Sequence, residues 1–184
     1  MNSTFWNNYG LLAYIVKQLG VYESLGKTKL QKLVFLMKEL KNIPVQYRFH
    51  FYTYGPFSSD LAGDLSYLDY IDGVKIHSDP YQNGYEIRPG HATEHLIQKA
   101  NGFLNWNRPA IDDILNQFGS KQARDLELIA TLVYIARYSP VYQERDQDYL
   151  IFQAKELKPK FSEAEIDSAI SELQGFGYLR EVVH

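Results

Sequence analysis

Residues 46–61 read QYRFHFYTYGPFSSDL, which places an aromatic run, a Gly-Pro pair and a helix start in direct succession. Because aromatic residues favour a pleated, half-buried backbone, the run Gln46–Tyr54 predicts a strand, and Gly55-Pro56 predicts its end. Ser58 is a typical N-cap residue, and the helix dipole favours Asp60 in the first turn that follows. The stretch therefore predicts an aromatic strand that leads directly into a helix.

Two helices are predicted before this strand, and a hairpin is predicted after the helix that follows it. Apolar residues spaced three and four apart predict helices over Tyr9–Leu19 and Thr28–Leu40. Thr28 and Gln31 have the spacing of a capping box at the start of the second helix. Alternating apolar residues in Val74–Ile76 and Tyr85–Ile87 predict the two arms of the hairpin.

This order of elements is that of a winged helix-turn-helix module with an inserted strand. A fourth helix is predicted to start at Pro89-Gly90 and to end near Asn105. We expect a mainly α (α+β) protein that divides near residue 106. Residues 1–106 would form a winged-helix-like half with a hairpin wing, packed against a helical half over 107–184.

The predicted second half begins where Asn107 and Pro109 fit the N-cap and first turn of a new helix. Near its end, Ser162 and Glu165 have the spacing of a capping box. The helix that they open, followed by a strand over Tyr178–Val183, gives this half a helix-turn-helix-like ending. No internal repeat or long linker interrupts the sequence.

Composition excludes several classes of protein. The 184 residues include no cysteine, which rules out a disulfide scaffold, a thiolate zinc site and a cysteine nucleophile. No apolar run approaches the roughly 20 residues that span a bilayer, and residues 1–10 lack the pattern of a signal peptide. We expect a cytoplasmic protein with no membrane contact. Tyrosine is abundant, with 15 residues, alongside 10 Phe and 2 Trp.

Two motifs carry a resemblance to known proteins. The stretches Gly26–Phe35 (GKTKLQKLVF) and Phe49–Leu61 (FHFYTYGPFSSDL) resemble those of the bacterial YwgA-like family, as does the stretch Arg124–Leu173. The two motifs are more distantly similar to the Panacea antitoxin domain and the SocA proteolysis adaptor. YwgA-like proteins have no established activity. The Panacea domain and the SocA adaptor act by binding another protein, so this resemblance implies protein recognition without catalytic residues.

Charge is distributed unevenly, which bears on DNA binding. Residues 1–50 hold seven Lys and Arg against two Asp and Glu, a local excess of five positive charges within a net charge of −3. The candidate recognition helix, Ser58–Tyr70, and the C-terminal candidate, Ser162–Gln174, are acidic and contain no Lys or Arg. Since phosphate contacts supply most non-specific affinity, these helices disfavour a DNA-binding role.

The lysines of the second helix and the aromatic strand are the candidate partner-binding residues. Lys29, Lys32 and Lys38 could contact an acidic partner or phosphate, or could form a solvated edge around a buried helix. Strand alternation places Tyr52 and Tyr54 on one face, with Phe57 nearby. If that face is exposed, the three rings would form an interface patch. The alternative is that helices cover both faces of the strand.

One short motif suggests metal chemistry. His91, Glu94 and His95 match H-x-x-E-H, and two histidines four residues apart share a helix face. No third ligand on a second helix is evident, and His91 lies directly after Pro89-Gly90, so a solvated helix start is the competing interpretation. We expect no metal, no cofactor and no catalytic site.

The sequence as a whole favours a non-catalytic bacterial protein that recognises a protein partner. By resemblance, the partner would be a toxin or a component of a stress or defence module, and the role that of an antitoxin or adaptor. The alternative is a winged-helix DNA-binding transcriptional regulator. Self-association into a homo-oligomer is left open by the sequence.

Overall fold

The structure is a computed structural model that describes residues 3–21, 25–79, 84–139 and 147–179. Within these ranges the chain forms eight helices and two antiparallel hairpins. The helices are α1 (Ser3–Leu19), α2 (Lys27–Lys41), α3 (Ser59–Tyr70), α4 (Thr93–Lys99), α5 (Asn101–Phe118), α6 (Ala123–Tyr138), α7 (Gln147–Leu157) and α8 (Glu163–Gly175). The strands are β1 (His50–Tyr52), β2 (Gly55–Phe57), β3 (Val74–Asp79) and β4 (Gly84–Pro89). The predicted mainly helical α+β class is confirmed.

Helix α2 lies at the centre of the fold. Every residue from Lys29 to Met37 is buried, because α5, α6 and β2 pack around the helix. Burial on all sides is what the wide apolar surface of this helix predicts. The predicted capping box at Thr28 and Gln31 is wrong: the N-cap is Gly26, without a side-chain cap, and Gln31 is bonded elsewhere.

The aromatic segment is shorter as a strand than predicted. Only His50–Tyr52 is β1, and Gly55-Pro56, predicted to end the strand, begins β2 instead. The chain reverses tightly because Gly55 adopts a φ of +81°, in the left-handed region that glycine tolerates. Residues 43–49 ahead of β1 still alternate between buried and exposed positions, although they form no ladder.

The third helix and the second hairpin agree with the sequence. Ser58 caps α3 by accepting a hydrogen bond from the backbone N–H of Leu61, as predicted. The arms β3 and β4 pair with Val74 opposite Pro89 and Ile76 opposite Ile87. The predicted α3–hairpin succession is therefore confirmed.

The predicted helix break near residue 106 is wrong. Helix α5 runs without interruption through Asn105 and Asn107, and Pro109 lies inside it. The side chain of Asn107 donates to the carbonyl oxygen of Phe103 at 2.9 Å, so it acts within the helix instead of capping a new one. The division of the chain into two halves stays a prediction, and its boundary lies within α5.

The capping box at Ser162 and Glu165 is present and opens α8, as predicted. Of the predicted closing strand, Tyr178 and Leu179 are not in a strand, and residues 180–183 lie outside the described residues. None of the helices described is both long and apolar enough to cross a bilayer.

Candidate functional site

Three aromatic side chains of the β1–β2 hairpin are exposed together. The exposed fractions are 68% for Tyr52, 61% for Tyr54 and 38% for Phe57. The rings of Tyr52 and Phe57 lie 6.0 Å apart between centroids. Tyr47 and Phe49, on the opposite alternation, are buried. The core face ends with Phe49, since Phe51 is half-buried and Thr53 is exposed, and the hairpin that follows is open on the side of Tyr52, Tyr54 and Phe57. We call these three residues the aromatic surface.

The aromatic surface borders a cavity of about 340 Å³ between α2, the β1–β2 hairpin and α3, which we call the hairpin cavity. Helix α2 contributes Lys27 and Lys32 to its wall, and α3 contributes Leu65 and Ser66. Among the described residues that line it, none is Asp or Glu. The cavity is thus mainly apolar, rimmed by aromatic rings, and carries positive charge only.

Lys32 lies at the inner wall of this cavity, with only 2% of its surface exposed. Its ammonium group donates to the carbonyl oxygen of Pro56 in β2 at 2.6 Å. Burial lowers the pKa of Lys32 to about 8, and nearby Lys158 adds to this effect while Glu127 opposes it. The side chain therefore connects α2 to the hairpin by a hydrogen bond, although burial partly desolvates its charged ammonium group.

The predicted lysine surface on α2 does not exist as such. Lys29 and Lys32 are both buried, since the surrounding elements cover this whole stretch of α2. Lys38 is half-buried, and it donates to the carbonyl oxygen of Tyr47 at 2.6 Å. For Lys29 and Lys32 the competing interpretation, a solvated lysine edge, is therefore also wrong, whereas Lys38 stays partly exposed. Of the three lysines, the structure brings only Lys32 together with the aromatic surface.

A buried charge cluster holds the hairpin against the rest of the chain. Glu127 in α6 pairs with Lys158 and Lys160, each at 2.7 Å, and both Glu127 and Lys158 are buried. Lys158 also donates to the carbonyl oxygen of Thr53 in the hairpin turn. Burial alone would raise the pKa of Glu127, but hydrogen bonds from the two ammonium groups hold that pKa below its ordinary value.

The sequence reasoning missed this cluster. Glu127 stands between Leu126 and Leu128 on a helix whose neighbouring residues are almost all apolar, and an acidic residue at such a position was the available signal. A buried carboxylate needs cationic partners. Lys158 and Lys160, which flank a proline, could not be assigned to it from spacing alone.

The H-x-x-E-H residues do not come together as a metal site. His91 precedes α4, and its Nδ1 lies 2.6 Å from a carboxylate oxygen of Asp72. Glu94 pairs instead with Lys17 at 2.6 Å. In the part of the chain that the structure describes, no three His, Asp or Glu side chains form a group suited to a metal ion.

A second cavity, of about 380 Å³, lies between α6 and α8. Besides Asp125, the charged residues of its lining pair with one another: Lys121 with Glu172 at 2.8 Å and Arg124 with Glu165 at 2.6 Å. Because these charges are neutralised within the chain, this cavity offers a charged ligand less than the hairpin cavity does.

Comparison with known proteins gives no assignment. No family model matches this sequence, and no curated protein matches it either. The resemblance to YwgA-like proteins stays a prediction. The geometry of the hairpin cavity and the aromatic surface is therefore the basis on which a function can be argued.

Proposed function

We propose that this chain is a non-catalytic protein that recognises a protein partner through the aromatic surface of the β1–β2 hairpin. The observation that carries the proposal is the exposure of Tyr52, Tyr54 and Phe57 around one cavity. Clustered tyrosine and other aromatic side chains are typical of interface hot spots. The predicted resemblance would make the partner a toxin or a stress or defence component, met in the cytoplasm.

The alternative, a DNA-binding regulator, has less support. Helix α3 carries no Lys or Arg, and Lys29 and Lys32 are buried and so poorly placed for phosphate contacts. A protein that binds duplex DNA through phosphate would show an affinity that falls steeply as salt rises. A titration of DNA binding against salt concentration therefore distinguishes the two proposals.

The test is co-purification of this chain with each protein encoded by a neighbouring gene. Tyr52→Ala and Phe57→Ala should each weaken capture of the partner by about tenfold or more, as expected for hot-spot residues. Trp106→Ala is the matched control, because Trp106 is an aromatic residue with 87% exposure outside the cavity lining.

Two results would overturn the proposal. One is capture that neither Tyr52→Ala nor Phe57→Ala weakens, whatever the effect of Trp106→Ala. The other is tight, sequence-specific binding to duplex DNA with a steep salt dependence. Circular dichroism of each variant would confirm that its helices are intact.

A further inference from the structure

The charge of the hairpin cavity favours an anionic ligand. Lys27 and Lys32 both line it, and neither ammonium group forms an ion pair with a carboxylate of the described residues. The ammonium group of Lys27 lies 3.7 Å from the centroid of the Tyr85 ring. Outside the lining, Lys160, which pairs with Glu127, lies 5.9 Å from the ring of Tyr54 at the rim. As far as the described residues form its wall, a carboxylate entering the cavity would therefore meet cations and no acidic side chain.

Lys32 retains hydrogen-bonding capacity that the described fold does not use. A lysine ammonium has three N–H donors. Among the described residues, that of Lys32 makes one hydrogen bond, to the carbonyl oxygen of Pro56. Buried charged groups are normally paired, so a carboxylate is the group that would complete this site. A charge-assisted hydrogen bond to an ammonium is among the stronger polar contacts available to a ligand.

The rim favours a peptide over a small anion. A small carboxylate could enter the cavity of about 340 Å³ but would leave the outer faces of Tyr52 and Tyr54 in water. A peptide chain can place one side chain in the cavity while its neighbours cover the exposed rings. Ala62 and Leu65 give the α3 side of the cavity an apolar wall, which suits apolar residues beside the acidic one.

We propose that the hairpin cavity takes an acidic peptide segment of the partner, with a Glu or Asp carboxylate directed at Lys32 and apolar neighbours against the aromatic surface. This inference rests on the proposed function and adds the chemistry of the segment that is recognised. Lys27 provides the second cation, nearer the outside of the chain. Tyr52, Tyr54 and Phe57 provide the contacts that do not depend on charge.

The test uses the full chain and two pools of short fluorescein-labelled peptides. The pools are identical except that the central residue, between two apolar residues, is Glu in one and Gln in the other. Fluorescence anisotropy should show the Glu pool binding about tenfold or more tightly, the scale of a desolvated charge pair. Lys32→Met and Lys27→Met should each reduce this preference. Lys17→Met, at a lysine that pairs with Glu94 away from the cavity, should keep it.

The inference fails if wild-type protein binds both pools equally, or if the preference for Glu survives in both the Lys27 and the Lys32 variants. Lys27→Met tests the same preference independently of any effect that Lys32→Met has on the fold. If both pools bind equally and Tyr52→Ala abolishes that binding, only the preference for an acidic residue is overturned. Binding that Tyr52→Ala and Phe57→Ala do not affect would overturn the proposed function itself. Displacement of the Glu pool by unlabelled oligothymidylate, lost in Lys32→Met, would assign the cavity to nucleic acid instead.

Discussion

Gln31 and Ser58 exchange two buried hydrogen bonds across 27 positions of sequence. The Gln31 side-chain N–H donates to the Ser58 carbonyl oxygen at 2.9 Å, and the Ser58 backbone N–H donates to the Gln31 Oε1 at 3.0 Å. The side chain of Ser58 meanwhile caps α3. A helix side chain thus completes the backbone hydrogen bonding of the one residue that joins β2 to α3.

Gln31→Leu should destabilise the protein by about 2–3 kcal/mol, because it leaves a buried N–H and weakens a buried carbonyl contact at Ser58. Urea unfolding would measure the change in free energy. Hydrogen exchange at the Ser58 amide should accelerate more than at amides in the middle of α6.

Gln98→Leu is the control for this substitution, since Gln98 is an exposed residue on α4. Equal effects of the two substitutions on the urea midpoint would contradict the role given to the Gln31–Ser58 pair.

Lys158→Met and Lys32→Met should differ in their effect on stability although both remove a buried ammonium. Lys158→Met leaves Glu127 buried with one remaining partner and should lower the unfolding free energy by about 3–5 kcal/mol. Lys32→Met removes a charge that burial opposes, so its unfolding free energy at pH 7 should stay close to the wild-type value or rise.

Adding Glu127→Gln to Lys158→Met should recover part of the loss, because the orphaned charge is then gone. Thermal and urea unfolding of wild type, Lys158→Met, Lys32→Met and the double variant Lys158→Met/Glu127→Gln would test this. A loss of the same size in Lys32→Met and Lys158→Met would show that the two lysines have equivalent roles.

The charge on Lys32 should also make stability depend on pH. Its pKa is about 8 in the folded protein, against an ordinary value of 10.5. Between these two values the unfolded chain binds a proton that the folded chain does not, so this group makes stability rise with pH. The contribution should reach roughly 3 kcal/mol by the upper end of that window.

The measurement is the difference in unfolding free energy between wild type and Lys32→Met from pH 7 to above 10. Subtraction removes the titration of the tyrosines and of the other lysines. Glu127 and Lys158, which act on Lys32 from α6 and from the turn before α8, are present in both proteins. A difference that stays flat across this range would contradict the prediction.

Gly55→Ala should destabilise the hairpin. The φ of +81° disfavours any L side chain, and a Cβ there would lie 3.2 Å from the Thr131 hydroxyl oxygen. The left-handed backbone alone accounts for about 1–2 kcal/mol. Gly63→Ala is the matched control, because nothing lies within 4 Å of a Cβ at that α3 position.

Gly63→Ala should stabilise the protein by about 0.5–1 kcal/mol, since alanine restricts the unfolded chain more than glycine does. Denaturant midpoints of both variants would check these opposite signs. A Gly55→Ala protein as stable as wild type would contradict the tight turn.

Local patterns predicted the elements whose stability is set locally. The three-and-four spacing of α2, the capping box at Ser162 and the N-cap at Ser58 depend on residues within a turn or two, and the structure contains them. The alternation of Tyr47 and Phe49 with exposed neighbours likewise follows from the pleat of the backbone.

The features that the local patterns missed depend on contacts between residues that are distant in sequence. Thr28 and Gln31 have the spacing of a capping box, but Gln31 bonds to Ser58 instead. Pro109 suggested a helix start, yet α5 continues through it, although an interior proline lacks a backbone donor and crowds the carbonyl group one turn earlier. The burial of Lys32, and with it the hairpin cavity, depends on elements from three separate parts of the chain.

The carbonyl oxygens of Thr53 and Pro56, on either side of the Tyr54-Gly55 turn, each accept a hydrogen bond from a lysine ammonium. Those lysines come from α2 and from the turn after α7, so the hairpin is braced from two directions. An interface loop fixed before contact loses little conformational entropy when it binds. Association with a partner should therefore be limited by diffusive encounter and orientation, with a rate constant of about 10⁵–10⁷ M⁻¹s⁻¹, and not by ordering of the hairpin.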